Sequence, residues 1–307
     1  MALRADVLIV DPQQDFVIAD DGHGHKGSLV VPGAYDDMKR VATMIDRLGK
    51  KVRKYHVTLD SHQTFGIERP RWWVRVSDGS HVAPFTCLGI HPDGKRIVKV
   101  EFPGGVPTPT DEEYTTYVPS YLHNGGPVID PNDPTGKKRL GSFGYLQALA
   151  KGGKYPHVVW PVHCCVGKWG WSVVEEVADA LARWEYNGPA RVDYVVKGNN
   201  PWTEHFSGVS AEVPDPDDPT TQVNTGLIET MEQADLIALT GEALSHCVCN
   251  TVRGIAANFS DPKFVQKLVL LTDASSNVSG FEFLGDAFIK DMKALGMQTS
   301  TTIDFLA

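Results

Sequence analysis

Cysteine is scarce in this chain of 307 residues: five, an odd number, at Cys87, Cys164, Cys165, Cys247 and Cys249. Such a count excludes a disulfide-stapled scaffold and points to reduced thiols in a cytoplasm. Long hydrophobic runs are lacking too, and none approaches the roughly 18–20 apolar residues that a membrane-spanning helix needs. The opening MALRADVLIVD has one early arginine and a short apolar run that ends in aspartate, so it reads as a buried strand rather than a signal peptide. Positive charge is in deficit. Lys plus Arg total 29 against 38 Asp plus Glu, for a net charge of −9. A chain this acidic has no general attraction to phosphate backbones or anionic lipid, so neither nucleic acid nor membrane is expected as a partner. Internal repeats and low-complexity tracts are missing as well. What is there, 42% hydrophobic and 22% charged residues, is an ordinary globular profile with enough apolar material for one large core or two smaller ones.

Residues 6–10 are, after Asp6, a continuous β-branched and aliphatic run, as expected of a strand covered on both faces. Apolar residues at helical spacing over 35–48 stop at Gly49 and predict a helix. Further strands are predicted over 52–59, 157–161, 192–196, 236–240 and 267–271. Helical stretches fall near 171–184, 247–259 and 284–295, and a last extended segment covers 298–303. This alternation predicts an α/β fold: a doubly wound, mainly parallel six-stranded sheet with helices on both faces and right-handed crossovers. Residues 63–154 differ, being rich in proline, glycine and aromatics at 69–73, 101–105 and 130–134. No long periodic segment there offers a separate core, so 1–307 reads as one domain with a long, loop-rich insertion. Trp72, Trp73 and Phe85 suit a satellite core beneath it, or else a cover over the pocket. A second irregular stretch, 210–224, reads as a surface excursion.

In open parallel sheets, ligands sit outside the carboxyl ends of the strands. Asp11 follows the first strand, Asp60 and His62 the second, His163, Cys164 and Cys165 the third, and Lys197 the fourth. Cys247 lies just past the fifth, after Gly241, where a helix begins, and Asp273 follows the sixth. Each has a plain reading alone. A cysteine at a helix start is most often a small buried hydrophobe, a strand-end lysine is usually solvated, and an aspartate after a strand is often a cap or turn former. Their coincidence on one rim favours chemistry. A helix N-terminus and a nearby cation such as Lys197 both favour the Cys247 thiolate. Asp11 is placed to take the thiol proton. Amides around Ala243 and Cys247 suit a developing oxyanion. Asp60, His62 and His163 offer one oxygen and two nitrogens to a divalent ion.

Seven segments in order carry a resemblance: VLIVDPQQDF, VVPGA, TLDSH, WPVHC, VVKG, TEHFSG and TGEALSHCV. With them the chain resembles the nicotinamidase group of the isochorismatase-like cysteine hydrolases, as a large nicotinamidase-related amidase, over nearly its whole length outside the insertions. The resemblance implies Asp11 as catalytic acid/base, Lys197 as the lysine completing a triad, and Cys247 as nucleophile. It implies Asp60, His62 and His163 as metal ligands, usually for zinc and sometimes for iron or manganese. It implies Phe16 and Trp160 flanking a substrate ring, and a cis peptide before Ala243. Cys249 reads as a helix-packing thiol. Relatives in this group often self-associate, so a homo-oligomer is open. The chain departs from the family pattern at Ser245 and His246 before the nucleophile, at 165–168, at Phe206, and in the length of the insertion, where Glu68 and His81 are candidates for an extra ligand.

The expected activity is a metal-dependent cysteine amidohydrolase in the cytoplasm, nicotinamide to nicotinic acid and ammonia, with a small-molecule amide as its partner. Other readings stay open: an amidase of another small amide or ureide, an isochorismatase-type hydrolase that would not need the cysteine, and a catalytically silent binding module.

Overall fold

The structure, a computed structural model, describes residues 3–101, 108–116, 141–188 and 190–307. Along it run β1 (Ala5–Val10), α1 (Gln14–Val17), α2 (Ala34–Leu48), β2 (Val52–Asp60), β3 (Trp73–Arg75), β4 (Cys87–Ile90), β5 (Ile97–Glu101), β6 (Thr108–Thr116), α3 (Ser142–Lys151), β7 (His157–Val158), α4 (Glu175–Tyr186), β8 (Asp193–Lys197), α5 (Thr225–Glu232), β9 (Leu236–Gly241), α6 (Cys249–Asn258), β10 (Leu268–Leu271), α7 (Glu282–Ala294) and β11 (Gln298–Ser300). The main sheet has six parallel strands in the order β11-β10-β9-β1-β2-β8. This is the doubly wound α/β architecture that the strand–helix alternation predicts. β1 sits inside the sheet and is buried at every residue; its aliphatic residues permit this, and its one charge, Asp6, is paired with Arg53. The chain winds outward from β1 to β2 and β8, then returns to β9 on its other side. That reversal opens a crevice at the carboxyl end of β1. Helix α2 opens after Gly33, carries Asp36 and Asp37 in its first turn, and buries Met38, Val41, Met44, Ile45 and Leu48 along one stripe. Among the described residues, no helix is long and apolar enough to cross a membrane.

Two expectations are corrected. Residues 157–161 do not supply a strand of the main sheet: His157 and Val158 pair antiparallel with β4, and β11 fills the sixth place. Nor is the insertion without a core. Its strands form a second sheet, antiparallel throughout, in the order β3-β6-β5-β4-β7. Behind it Trp72, Trp73, Leu88, Ile97, Tyr145, Leu146 and Leu149 make a separate buried cluster. The large aromatic surfaces supply what short strands lack. Trp72 and Trp73 thus form the satellite core, whereas Phe85 is about half exposed and meets the Trp160 ring edge-on at 5.9 Å. The segments at 102–105 and 130–134 lie outside the described residues. The helix expected from 171 begins at Glu175. Residues 210–224 are more than a surface excursion, since Ala211, Asp215 and Thr221 are buried and Asn200 donates to Asp215 at 3.0 Å and Asp218 at 2.9 Å.

Candidate active site

Four strand ends of the main sheet build one buried site. Past β1 the backbone turns at Asp11, which has φ of +45°. The Thr58 hydroxyl of β2 donates to Asp11 Oδ1 at 2.5 Å and accepts from the Asp11 amide at 3.0 Å. Gln13 then ties the two strand ends together: its side chain accepts from the Asp60 amide at 2.7 Å and donates to the Asp60 carbonyl at 2.8 Å. Lys197 closes β8 beside Asp60. Its ammonium lies 2.9 Å from Asp11 Oδ2, 3.0 Å from Asp60 Oδ1, 3.1 Å from the His205 carbonyl and 3.6 Å from Cys247 Sγ. From the other side, β9 ends at Gly241, whose φ is +115° and where a Cβ would sit 2.0 Å from the Val10 carbonyl oxygen, so only glycine fits. The Glu242–Ala243 peptide is cis. A single π-helical turn, Leu244–Val248, then presents Cys247 and leads into α6. Among the described residues the Ala243 amide has no hydrogen-bond partner, and Ala243 lines the same cavity as Cys247.

The charges explain how the cluster survives burial. Asp11, Asp60, Lys197 and Cys247 are all buried. Burial pushes Asp11 above the usual carboxylate range, and Lys197 opposes this. Burial likewise raises the Cys247 thiol well above its ordinary value, against the pull of Lys197. The resting thiol therefore holds its proton, with a carboxylate of raised basicity beside it. Burial would raise Asp60 too, but His62 and Lys197 hold it well below the usual range. Lys197 itself stays charged, since Asp11 and Asp60 outweigh its desolvation.

Asp60, His62 and His163 form the one group among the described residues that could hold a metal ion, with donor atoms all within 4.8 Å of one another. Asp60 Oδ2 is 2.9 Å from His62 Nε2 and 3.2 Å from His163 Nε2. The other ring nitrogens face outward, His62 Nδ1 to Glu68 Oε1 at 3.3 Å and His163 Nδ1 to the Pro161 carbonyl at 2.7 Å. The Glu68 carboxylate behind His62 favours a proton on its Nδ1, which would leave Nε2 free to ligate. Two nitrogens and one oxygen, converging and braced from behind, fit a divalent cation such as zinc. Burial lowers His163 to about 4, whereas the Asp60 carboxylate overcomes burial to hold His62 at about 9.

A small cavity of about 30 Å³ borders Cys247. Phe16, Leu29, Val31, Trp160, Phe206 and Val278 give it apolar walls, and Asp60, His163, Glu204 and His246 add polar atoms. Its lining, apolar walls with a few polar atoms, has the chemistry that suits a ring with a polar substituent. A larger groove at the opposite end of the sheet, lined by Asp46, Arg53 and Arg183, contains none of the strand-end reactive groups.

Other candidates lie elsewhere. The Asp273 carboxylate accepts from the amide and hydroxyl of Thr302, away from the cluster. Cys164 lies at the rim but its thiol turns to the Gly170 carbonyl, and Cys165 pairs by backbone with His62. The Cys249 thiol bonds within its own helical turn to the carbonyls of Ser245 and His246. His81 bridges to Val74 in the second sheet and does not join the ligand cluster, and Glu68 stands behind His62 rather than among the ligands. Three site residues have no counterpart in the sequence reasoning: Gln13, the fully buried Arg69, which donates to the carbonyls of Pro161 (2.9 Å) and His163 (2.7 Å), and Glu204. Glu204 lines the cavity with Oε2 buried and unpartnered, and burial lifts it to about 7. Only its place within TEHFSG, near Lys197, could have signalled it.

A doubly wound α/β fold with reactive groups at its strand ends is the class this molecule defines. No family model matches the chain, and no curated protein matches it. Among solved structures it is similar to the yeast nicotinamidase Pnc1p bound to the inhibitor nicotinaldehyde (17% identity, 97% of this chain and 99% of that one, TM-score 0.57). It is also similar to a nicotinamidase/pyrazinamidase of Acinetobacter baumanii (14%, 98% of each chain, TM-score 0.57) and to PnC1 of L. infantum in complex with nicotinate (16%, 99% and 95%, TM-score 0.52). At such identities the likeness establishes a shared fold across nearly the full length of each chain.

Proposed function

We propose that this protein is a metal-dependent cysteine amidohydrolase of nicotinamidase type, converting nicotinamide, or a close pyridine carboxamide, and water to the carboxylic acid and ammonia. The observation that carries this reading is the convergence of Lys197 on Asp11, Asp60 and Cys247 at the floor of an aromatic-walled cavity. Phe16 and Trp160 sandwich the substrate ring and set its carboxamide over Cys247. Asp11 takes the thiol proton as sulfur attacks the carboxamide carbon, and Lys197 keeps both partners in place and limits the charge that builds between them. The Ala243 and Cys247 amides receive the developing oxyanion. Asp11 returns the proton to the departing ammonia, leaving a thioester. It then takes a proton from the incoming water and, as the acid forms, returns it to the departing Cys247 sulfur, which restores the resting thiol. A divalent cation held by Asp60, His62 and His163, zinc foremost with iron or manganese as alternatives, would supply positive charge that orients a ring nitrogen and acidifies water.

Ammonia release from nicotinamide, with and without chelator, tests this directly. Turnover is expected in the untreated protein, with loss on chelation, recovery on adding back zinc, and none in Cys247→Ala despite retained fold and metal content. Ammonia release by Cys247→Ala would remove the nucleophile assignment. A panel of other small amides and ureides belongs in the same assay, because Glu204 and His246 give the cavity wall polar atoms that a plain pyridine ring does not use.

A further inference from the structure

The loop that carries Ala243 rests on a second pair of acids, apart from the reactive cluster. Glu242 and Asp37 are 0% and 3% exposed and share Ser276 as a partner. The Ser276 amide donates to Glu242 Oε2 at 3.2 Å, and its hydroxyl donates to Asp37 Oδ2 at 2.6 Å. The charges are not shared evenly. Arg40 donates to Asp37 Oδ1 at 2.6 Å, and Asp37 occupies the first turn of α2, where the helix dipole favours an anion. Glu242 has neither advantage, and its Oε1 is buried without an acceptable partner. The charged groups that face it, Asp37 and Arg40, both come from α2. The 274–276 segment offers it a neutral amide, and the end of β1 offers the Val10 carbonyl to its backbone. Two ionised carboxylates around one serine, in this degree of burial, would leave one charge uncompensated.

We propose that Glu242 carries a proton in the folded protein and donates it from Oε1 to the Asp37 carboxylate, so that this acid pair latches the oxyanion loop onto α2. Glu242 is then a positioning residue, acting through the Ala243 and Cys247 amides; this part rests on the amidase reading above. Burial, with Asp37 adding to it, pushes Glu242 well above the usual carboxyl range, in accord with the latch. The backbone on either side is already held, by Glu242 N to Val10 O (2.8 Å), Gly241 N to Ala274 O (3.1 Å) and Leu244 N to Ser276 O (2.7 Å). The side-chain bond adds a tie to the helix that raising the pH would cut.

The test compares wild type, Glu242→Gln and Glu242→Leu. Glutamine keeps the shape and an N–H donor to Asp37 but cannot ionise, whereas leucine keeps neither bond. Infrared spectra of the whole protein near neutral pH are expected to show a protonated-carboxyl band that is weaker in Glu242→Gln by one carboxyl, the Glu204 contribution remaining in both. A carboxyl whose folded pKa is raised contributes stability fully present below its unfolded value of about 4.5 and lost as pH rises toward the folded value. The melting temperature of wild type should therefore fall relative to Glu242→Gln as pH increases. In the ammonia assay, Glu242→Gln should retain turnover and extend its alkaline limit, and Glu242→Leu should lose kcat by about a hundredfold, the effect of an ångström-scale displacement, with KM little changed. An unchanged carboxyl band in Glu242→Gln, or a melting difference that does not vary with pH, would overturn the proposal. If the band difference and pH dependence appear while no amide in the panel is hydrolysed, the protonated latch stands and the amidase reading falls.

Discussion

Replacing Lys197 with methionine is the perturbation that most directly probes the buried cluster. Methionine keeps much of the volume and removes the charge that Asp11 and Asp60 share at 2.9 and 3.0 Å. Both carboxylates are fully or almost fully buried, so little water can replace the ammonium. Breaking a buried ion pair by removing one member costs about 3–5 kcal/mol, because the remaining charge is stranded. An unfolding entropy of about 2.1 cal/mol/K per residue over the chain is near 0.6 kcal/mol/K, so this cost lowers the melting temperature by about 5–8 °C at pH 7. The deficit has a definite pH sign. Asp60 is held well below the usual range in wild type, so its contribution is present above the unfolded carboxylate value and lost as pH falls through the folded one. In Lys197→Met, acid protonates the stranded carboxyls and removes the penalty. The two melting curves should therefore converge as the pH is lowered from 7 toward 4. Calorimetry across that range, with ammonia release at pH 7, is the assay. A variant that melts within about 1 °C of wild type at pH 7, a shift too small for a stranded charge, would refute the account of how this cluster is held.

Three further outcomes follow from local geometry. Gly241→Ala places a methyl 2.0 Å from the Val10 carbonyl oxygen and 2.4 Å from the Val10 nitrogen, both backbone atoms; urea unfolding should show a loss of at least about 3 kcal/mol or no folded protein. Gly153→Ala, at φ +62° with nothing within 4 Å, should cost only about 1 kcal/mol. His56 is buried 2.7 Å from Asp193 Oδ2 and 3.6 Å from Asp6 Oδ2, and these acids raise it against the lowering effect of burial. Its contribution is present below about pH 6.5 and lost as pH rises through the raised folded value, so wild type should lose denaturant stability above that pH relative to His56→Gln; equal slopes in both proteins would contradict the charged pairing.

The main sheet was legible because its strands are aliphatic runs separated by helical periodicity, and because parallel topology sends function to the strand ends. That rule alone brought Asp11, Asp60, Lys197 and Cys247 to attention before any contact was known. The second sheet was not legible. β3, β4 and β7 are four residues or fewer, too short for alternation to register, and they are fixed by pairing with distant strands and by packing under Trp72 and Trp73. The run at 157–161 has the composition of a central strand, yet β4 claims its first two residues, a choice made by tertiary contact rather than by local preference. Helix α3 hides its apolar face between flanking glycines. Arg69 reads as a loop charge in an Arg-Pro-Arg sequence, and its complete burial is visible only once the insertion folds over it. Glu204 was inside a recognised segment, but nothing in a linear string marks a carboxyl oxygen that lacks a partner.

Glu68 and Arg69 belong to the insertion, yet they stand directly behind the two histidines of the candidate metal centre. Anyone seeking a minimal version of this protein by cutting back to the six parallel strands would therefore remove the buttress of both imidazoles. The length of the chain is thus part of its chemistry, and the pieces that look most dispensable on an alignment of core strands are the ones that keep the ligand geometry rigid.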